Sequence, residues 1–223
     1  MEEINKLKIY KEKKGRRTQL FTKNLEPGKK LFAEKTLKIK GTEYRELNPE
    51  RSKLGAAVLK GLSQTGIKEG STILYLGASH GYTPSYISDI IGKQGFIFCL
   101  DFAPRVVRDL VFVCEQRKNM APLLENALFP ETYKDKVPKV DVVYQDIAQR
   151  DQIGIFLTNC ETYLQEGGFG LLALKPRSID VTRKPKDIFK ETRKILEQNL
   201  TIVDYKELDP FEVDHAFFVV KKK

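Results

Sequence analysis

The stretch "YLGASHGYTP", from Tyr75 to Pro84, joins an apolar run to a helical sequence through two glycines. It contains a literal G-x-S-x-G, the nucleophile elbow of the α/β-hydrolases, which would make Ser79 an attacking group. The same order of strand, glycine loop and helix also holds nucleotide-like cofactors, because the first N–H groups of the helix face the loop. Other parts of the sequence are needed to discriminate between a serine nucleophile and a cofactor-binding loop.

The chain from Ser71 onward alternates apolar runs with helical stretches. Buried parallel strands are predicted at 72–76, 96–100, 122–125, 140–144 and 169–174. Helices are predicted between them at 84–91, 104–118, about 151–164 and about 185–199, before a closing hairpin at 201–208 and 215–220. This pattern predicts a doubly wound, Rossmann-like α/β sheet, whose ligands lie at the carboxyl ends of the strands.

The first part of the chain has a different pattern. Residues 1–47 carry short alternating runs broken by Gly15, Pro27-Gly28 and Gly41, and predict a small β-rich N-terminal region. Residues 48–223 are predicted to form the main domain. Asn48-Pro49-Glu50 is expected to open its first helix, with Asn48 as the cap.

The hydrolase hypothesis is the weaker of the two. Ser79, either Asp146 or Asp180, and His215 follow the chain order of a hydrolase triad. However, the glycine loop follows the first strand of the main sheet, and no HGGG-like oxyanion segment precedes it. His215 also leads directly into a terminal strand. These features disfavour a serine nucleophile.

The cofactor hypothesis explains more residues. Gly77 allows a tight turn off the strand, Gly81 allows close approach of a ligand, and Thr83-Pro84 suits a helix cap and first turn. Asp101 ends the second strand, where a carboxylate accepts hydrogen bonds from the hydroxyls of a ribose. The G-x-x-x-G spacing without a phosphate-binding lysine favours a nucleoside lacking a pyrophosphate, such as S-adenosylmethionine. A plain structural turn remains the alternative.

Composition narrows the class further. The 223 residues carry a formal net charge of +9, concentrated in "KEKKGRR", "PGKK", "RKPK" and "KKK". This charge favours a polyanion such as RNA or DNA, or else a solvated surface. No apolar run reaches the roughly 18 residues of a membrane span, and the polar N-terminus predicts a cytoplasmic protein. The three cysteines show no zinc-site spacing, so no metal is expected.

Several segments carry a family resemblance. Those that occur in order and at close to the family's spacing are "NP" with "RSKL" (48–54), "YLGASHGYT", "DFAPR", "VPKVDVVYQDIAQ", "GGFGLLALKPRSIDVT" and "DHAFFVV". Together they resemble fibrillarin, specifically the archaeal fibrillarin-like RNA 2′-O-methyltransferases. The resemblance runs from about Leu25 to the C-terminus, and no glycine/arginine-rich tail is present.

The resemblance implies a site, a cofactor and partners. It implies S-adenosyl-L-methionine as cofactor, bound by Gly77, Gly81, Tyr82, Thr83, Asp101, Phe102, Asn126, Ala127, Asp146, Ile147, Ala148 and Gln149. It implies a catalytic set of Lys53, Asp146, Lys175 and His215. It also implies box C/D guide RNA, target rRNA or tRNA, a Nop-domain scaffold protein and a kink-turn-binding ribosomal-type protein as partners.

Two functional hypotheses therefore stand. The first is an active methyltransferase that modifies ribose in rRNA and tRNA, favoured by the intact catalytic set. The second is a weakly active or inactive structural subunit of the same particle. Tyr82 and Asn126, which depart from the family's pattern, favour the second.

Overall fold

A computed structural model describes residues 1–15 and 17–223, which form two sheets. The first sheet is antiparallel, with strand order β1-β2-β3-β5-β4. Its strands are β1 (Glu2–Glu3), β2 (Ile9–Lys14), β3 (Arg17–Lys23), β4 (Thr36–Ile39) and β5 (Thr42–Leu47). The β-rich character predicted for residues 1–47 is thus confirmed.

The second sheet has seven strands in the order β11-β12-β10-β9-β6-β7-β8. Its strands are β6 (Thr72–Leu76), β7 (Phe96–Asp101), β8 (Met120–Leu124), β9 (Val140–Gln145), β10 (Leu164–Leu174), β11 (Thr201–Glu207) and β12 (Ala216–Lys221). The first five are parallel, and β12 pairs antiparallel with both β10 and β11. The strand order reverses between β6 and β9, which is where ligands bind in such sheets.

Six α-helices and one short 3₁₀ helix (Pro130–Tyr133) lie among the described residues. The α-helices are α1 (Lys53–Leu59), α2 (Tyr82–Ile91), α3 (Pro104–Glu115), α4 (Gln152–Tyr163), α5 (Pro176–Ile179) and α6 (Pro185–Asn199). Apolar side chains of the sheet pack in two clusters, one on each face. The predicted doubly wound α/β fold is confirmed.

Two strand predictions were short of the observed bounds. The strand β8 begins at Met120, and β10 begins at Leu164, where it pairs with Val140 before its register shifts ahead of Phe169. The first part of β10 was not predicted, because the polar, glycine-containing segment 165–168 is untypical of a buried strand.

The first helix of the main sheet region begins later than predicted. Asn48 does not cap it; its side-chain oxygen accepts a hydrogen bond from the N–H of Glu50 at 2.9 Å and closes a turn. Ser52 is the cap, and its hydroxyl accepts from the N–H of Gly55 at 3.3 Å. Lys53 therefore occupies the first position of α1.

A buried ionic network joins the two sheets. Asp89 on α2 lies 2.9 Å from Arg45 of β5 and 2.7 Å from Arg117, and all three side chains are essentially inaccessible. Arg45 also donates to Glu34, in the loop before β4, at 2.6 Å. The N-terminal sheet is thus fixed against α2, whose first turn borders the glycine loop.

None of the helices among residues 1–15 and 17–223 combines the length and the apolar character needed to cross a bilayer.

Candidate active site

Polar residues follow adjacent parallel strands at one edge of the main sheet. Lys175 follows β10, Asp146 follows β9, Gly77 follows β6, and Asp101 ends β7, while these four strands are neighbours in the order given. The carboxyl ends of parallel strands meet at the same edge. The sequence pattern therefore brings these residues together without any long insertion.

Backbone hydrogen bonds fix this edge. The N–H of Asp146 donates to the carbonyl of Leu76 at 2.9 Å, and the N–H of Gly77 donates to the carbonyl of Leu100. The fully buried Gln152 accepts from the N–H of Lys175 at 2.8 Å and donates to its carbonyl at 3.0 Å. The backbone on which the Lys175 side chain stands is therefore held from both sides.

Two lysines converge on one carboxylate. The ammonium of Lys175 lies 2.8 Å from Oδ1 of Asp146, and that of Lys53 lies 3.4 Å from the same atom. The three side chains are only 14–20% exposed. Ion pairs at this depth are screened less than surface pairs.

Oδ1 of Asp146 is paired by charge but not saturated by hydrogen bonds. Lys175 donates its hydrogen bond to the backbone carbonyl of Asp146, at 3.2 Å. Oδ1 is buried and accepts no hydrogen bond from the described residues. The ammonium contacts at 2.8 and 3.4 Å do not have hydrogen-bond angles, so this oxygen keeps an acceptor site for a donor that a ligand brings.

The fourth predicted catalytic residue, His215, forms no hydrogen bond or ion pair with this cluster among the described residues. Its ring is 2.7 Å from the carbonyl of Val213. Instead Glu212, in the same loop, lies 3.8 Å from the ammonium of Lys53. Sequence reasoning missed Glu212; the signal was its position beside His215 in the "FEVDH" segment.

Two tyrosines form the floor beneath the cluster. Tyr75 and Tyr144 stack with ring centroids 4.3 Å apart and are fully buried. Burial, and then nearby charges including Asp146, raise the pKa of both phenols well above the ordinary value. Both rings therefore stay neutral and do not act as bases.

Two cavities meet at Gly77, Ser79, Asp146 and Lys175. One, of about 310 Å³, is lined by all the predicted cofactor residues that follow β7, β8 and β9, together with Gly77. The other, of about 780 Å³, is lined by Lys53, Tyr82 and Thr83, among others. Eleven of the twelve predicted cofactor residues thus border one cavity or the other.

Gly81 is the exception. It has a φ of +83°, and a Cβ there would lie 2.9 Å from Leu110 of α3, so packing and backbone conformation require the glycine. It caps α2 in place of Thr83, whose hydroxyl instead donates to Ser52 at 3.1 Å. The expectation that Thr83 caps the helix is wrong, while a contact between Gly81 and the cofactor stays a prediction.

The residues present fit an adenosyl cofactor. A Cβ at Gly77 would lie 2.6 Å from the carbonyl of Asp146, so the loop has room only for a bare backbone at the junction of the cavities. Asp101 accepts from the N–H groups of Ser79 and Ala103, one on each oxygen. A carboxylate has about four acceptor sites, so two remain for the hydroxyls of a ribose.

The side chain of Asn126 is already engaged by a hydrogen bond within the protein, which the sequence did not predict. Its side-chain oxygen accepts from the N–H of Leu128 at 3.0 Å, which closes an Asx turn. A carbonyl oxygen has two lone pairs, so one acceptor site remains toward the cavity.

Tyr82 belongs to the wall of the larger cavity. Its hydroxyl accepts from the N–H of Asn48 at 3.2 Å. Its ring packs edge-on against Phe32, with centroids 5.2 Å apart, while the Arg51 guanidinium lies 4.1 Å from its centroid. Phe32 also lines the cavity, so the N-terminal sheet region contributes directly to the site.

The hydrolase triad is not assembled. The hydroxyl of Ser79 lies 3.2 Å from the ring of its neighbour His80, whereas Asp146 pairs with lysines and the His215 ring with Val213. Across the described residues, no group of three or more His, Cys, Asp or Glu side chains is arranged to hold a metal ion.

The seven-stranded sheet, the glycine loop and the cavity beside Asp101 define the class of Rossmann-like S-adenosylmethionine-dependent methyltransferases. The fibrillarin family model matches residues 2–223. A protein from Thermococcus onnurineus named fibrillarin-like rRNA/tRNA 2′-O-methyltransferase is 48% identical over 204 residues, which cover 92% of this chain and 90% of that protein. This chain belongs to the fibrillarin family.

Solved structures agree with this assignment. Aeropyrum pernix fibrillarin in complex with natively bound S-adenosyl-L-methionine superposes with a TM-score of 0.87 at 45% identity, covering 96% of this chain and 94% of that one. The matching chain of a fibrillarin/Nop5p complex has a TM-score of 0.82 at 37% identity, covering 92% and 94%.

Proposed function

We propose that this chain transfers a methyl group from S-adenosyl-L-methionine to the ribose 2′-hydroxyl of rRNA and tRNA. The observation that carries the proposal is the cluster of Lys53, Asp146 and Lys175 at the junction of two cavities. Membership of the fibrillarin family supports it, since the relatives are named for this reaction.

The cofactor would lie against the glycine loop, with Asp101 holding the ribose and the residues after β8 and β9 around the base. When bound, it supplies an electrophilic methyl group on a sulfonium. Gly77 keeps this junction open, and the segment Asp146–Gln149 lines the cavity of about 310 Å³. These assignments are the cofactor part of the proposal.

The chain's own residues then act on the attacking hydroxyl. Its O–H donates to the unsaturated Oδ1 of Asp146, which orients the oxygen and holds the proton. As the oxygen bonds to the methyl carbon and the methyl–sulfur bond would break, the proton passes to Asp146, while the Lys175 ammonium, fixed by Gln152, stays beside that carboxylate. General-base help of this kind is typically worth about 10²–10⁴ in rate. Lys53 attracts the adjoining RNA phosphate, and His215 borders the ribose from the loop after β11.

We also propose that the chain works within a particle. A box C/D guide RNA would select the target nucleotide, and a Nop-domain protein and a kink-turn-binding protein would dock the enzyme beside it. The net charge of +9 suits such a polyanionic assembly. The solved fibrillarin/Nop5p complex supports the scaffold partner. Residues 48–223 would carry the chemistry, and residues 1–47 would complete the cavity wall through Phe32.

Reconstitution tests the proposal. The full chain is combined with the scaffold protein, the kink-turn-binding protein, a guide RNA and a target RNA, and supplied with S-adenosylmethionine. A 2′-O-methyl group blocks alkaline cleavage at its own phosphodiester, so we expect one gap in the hydrolysis ladder, at the guided nucleotide. An unbroken ladder would contradict the proposal.

The structural-subunit alternative has one observation in its favour, the engagement of the Asn126 oxygen by Leu128. Calorimetric titration of the full chain with S-adenosylmethionine separates the two. Micromolar binding supports the enzyme, and no heat at high concentration supports the structural subunit.

A further inference from the structure

Glu212 lies in the connection between the last two strands, residues 208–215, which we term the 208–215 loop. The N–H of Leu208 donates to the carbonyl of His215 at 2.9 Å and closes the base of this loop. Within it, the N–H of Glu212 bonds the carbonyl of Leu208, and the N–H of His215 bonds the carbonyl of Glu212. The backbone position of Glu212 is therefore well defined.

The loop is fastened to the rest of the protein by three side-chain links. Lys60 donates to the carbonyl of Asp209 at 2.8 Å, and Asp214 pairs with Arg177 at 2.9 Å. The third link is the pair of Glu212 with Lys53, at 3.8 Å. Of these three, the link through Glu212 is the one that enters the cluster around Asp146.

Lys53 consequently stands between two carboxylates. Its ammonium is 3.4 Å from Asp146 and 3.8 Å from Glu212, and the Lys53 and Glu212 side chains are only 14% and 20% exposed. The charge of Glu212 also acts on the floor of the site, where it adds to burial and to Asp146 in raising the pKa of Tyr144. The ion pair with Lys53 thus places this carboxylate beside the reacting groups, and its effect on Tyr144 agrees with that position.

The net charge of the cluster gives a physical reason for a carboxylate at Glu212. Lys53, Lys175 and Asp146 alone carry one net positive charge, and a sulfonium cofactor adds another. Glu212 brings the protein groups to neutrality, which lowers the repulsion between the two ammonium groups and the cofactor. Without it, Lys53 is attracted only by the carboxylate that Lys175 already occupies.

We propose that Glu212 is a positioning residue, which holds the Lys53 ammonium beside Asp146 so that Lys175 keeps its own place on that carboxylate. The inference rests on the proposed methyl transfer to RNA. It assigns Glu212 no contact with the substrate, since the residue acts through Lys53.

The variant Glu212→Gln tests this, because it removes the charge and keeps the shape. In the reconstituted particle with radiolabelled S-adenosylmethionine, we expect kcat to fall about tenfold, an order-of-magnitude value for misplacing a group that organises the reaction. The KM for target RNA and the calorimetric affinity for S-adenosylmethionine should stay within about twofold. A structural defect would lower the melting temperature and alter all of these together.

Asp214→Asn is the matched control in the same loop. It removes the other ion pair of the loop, and Asn tolerates the positive φ of 60° at this position. We expect its kcat to stay within about twofold of the parent chain, since the pair it breaks is exposed. The conservative variant Glu212→Asp should fall between the parent and Glu212→Gln.

A double variant decides whether Glu212 acts through Lys53. Combined with Lys53→Met, Glu212→Gln should cost no further kcat, because the group that it positions is already gone. An additive loss of kcat in the double variant would overturn the inference. A Glu212→Gln variant with unchanged or raised kcat and a lowered KM for RNA would also overturn it, because Glu212 would then be keeping Lys53 away from RNA. A parent chain that methylates no RNA would overturn the proposed function instead.

Discussion

Asp89 and Asp146 each lie between two cations, and they differ in how their oxygens are used. Asp89, between Arg45 and Arg117, accepts on one oxygen from Leu25 and Arg117 and on the other from Thr22 and Arg45. All four acceptor sites of this fully buried side chain are filled. It holds two sheets together and has nothing left to offer a ligand.

Asp146 has the same charge environment but the opposite bonding. Its partners are lysines, and its buried Oδ1 accepts no hydrogen bond from the described residues. Arginine presents a planar fork that fills a carboxylate's acceptor sites, whereas a lysine ammonium supplies a point charge. Asp89 therefore has no acceptor site left for a ligand, whereas Asp146 keeps one.

The strongest test of this comparison is Asp146→Asn. It removes the charge that both lysines share, so we expect kcat for methyl transfer to fall by about 10²–10⁴-fold, the range typical of general-base assistance. The melting temperature should fall by less than the loss of a fully buried ionic network would cause, because the side chains of this cluster are 14–20% exposed and the two lysines stay partly solvated.

Asp141→Asn is the control on the same strand. Asp141 lies at the amino end of β9 and accepts from the N–H of Thr72 at 2.8 Å. Its kcat should remain close to that of the parent chain. If Asp146→Asn and Asp141→Asn lost activity equally, the loss would reflect the strand and not the reacting group.

Asp89→Asn should show the reverse profile. Removing one partner of a buried ionic network typically costs about 3–5 kcal/mol, because the remaining charges stay buried and unpaired. We expect a loss of this size in the free energy of unfolding, measured by urea denaturation, with kcat retained at temperatures where the variant is folded.

Glu191→Gln provides the matched surface pair. Glu191 and Arg183 lie 2.6 Å apart but are about half exposed. Loss of this ion pair should therefore lower the free energy of unfolding by no more than about 1 kcal/mol. A stable Asp89→Asn variant without activity would reverse the roles that we assign to the two carboxylates.

The smallest expected effect is the pH dependence contributed by Glu34. Burial raises its pKa, but the Arg45 guanidinium and the N–H of Phe32 outweigh burial, so the net pKa lies below the ordinary 4.5. A lowered folded-state pKa stabilises the protein above pH 4.5, and this contribution is lost as the pH falls through the folded value.

Glu34→Gln should therefore flatten the acid side of the stability curve. We expect its free energy of unfolding to decline less steeply than that of the parent chain below pH 4.5, as followed by urea denaturation at stepped pH. Parallel declines in the two proteins would show that Glu34 does not contribute to acid sensitivity.

Much of the site could be predicted because it lies at strand ends. The alternation of apolar runs and helices fixes a doubly wound sheet, and Asp101, Asp146 and Lys175 each stand at the end of a predicted strand. Topology then brings them to one edge. The roles of these residues, in contrast, came from the resemblance to a family.

The remaining features depend on competition that a sequence does not show. Asn48 and Ser52 are both good caps, and tertiary contacts decided that Ser52 begins the helix while Asn48 closes a turn. The close approach of Gly81 to α3 could not be predicted either, because α3 follows later in the chain. Lys53 and Glu212 are in contact but lie near opposite ends of the sequence that forms the main domain, and no local sequence pattern predicts such a contact.

The saturated carboxylate at Asp89 also constrains the order of events while the chain is being synthesised. A ribosome releases residues 1–47, which carry Thr22 and Arg45, before the rest of the chain. Their shared acceptor emerges only with α2, and its second guanidinium only with Arg117. The nascent sheet therefore completes its polar interior only when more than half of the polypeptide has left the tunnel, and still before Asp146 and Lys175 of the catalytic edge have emerged.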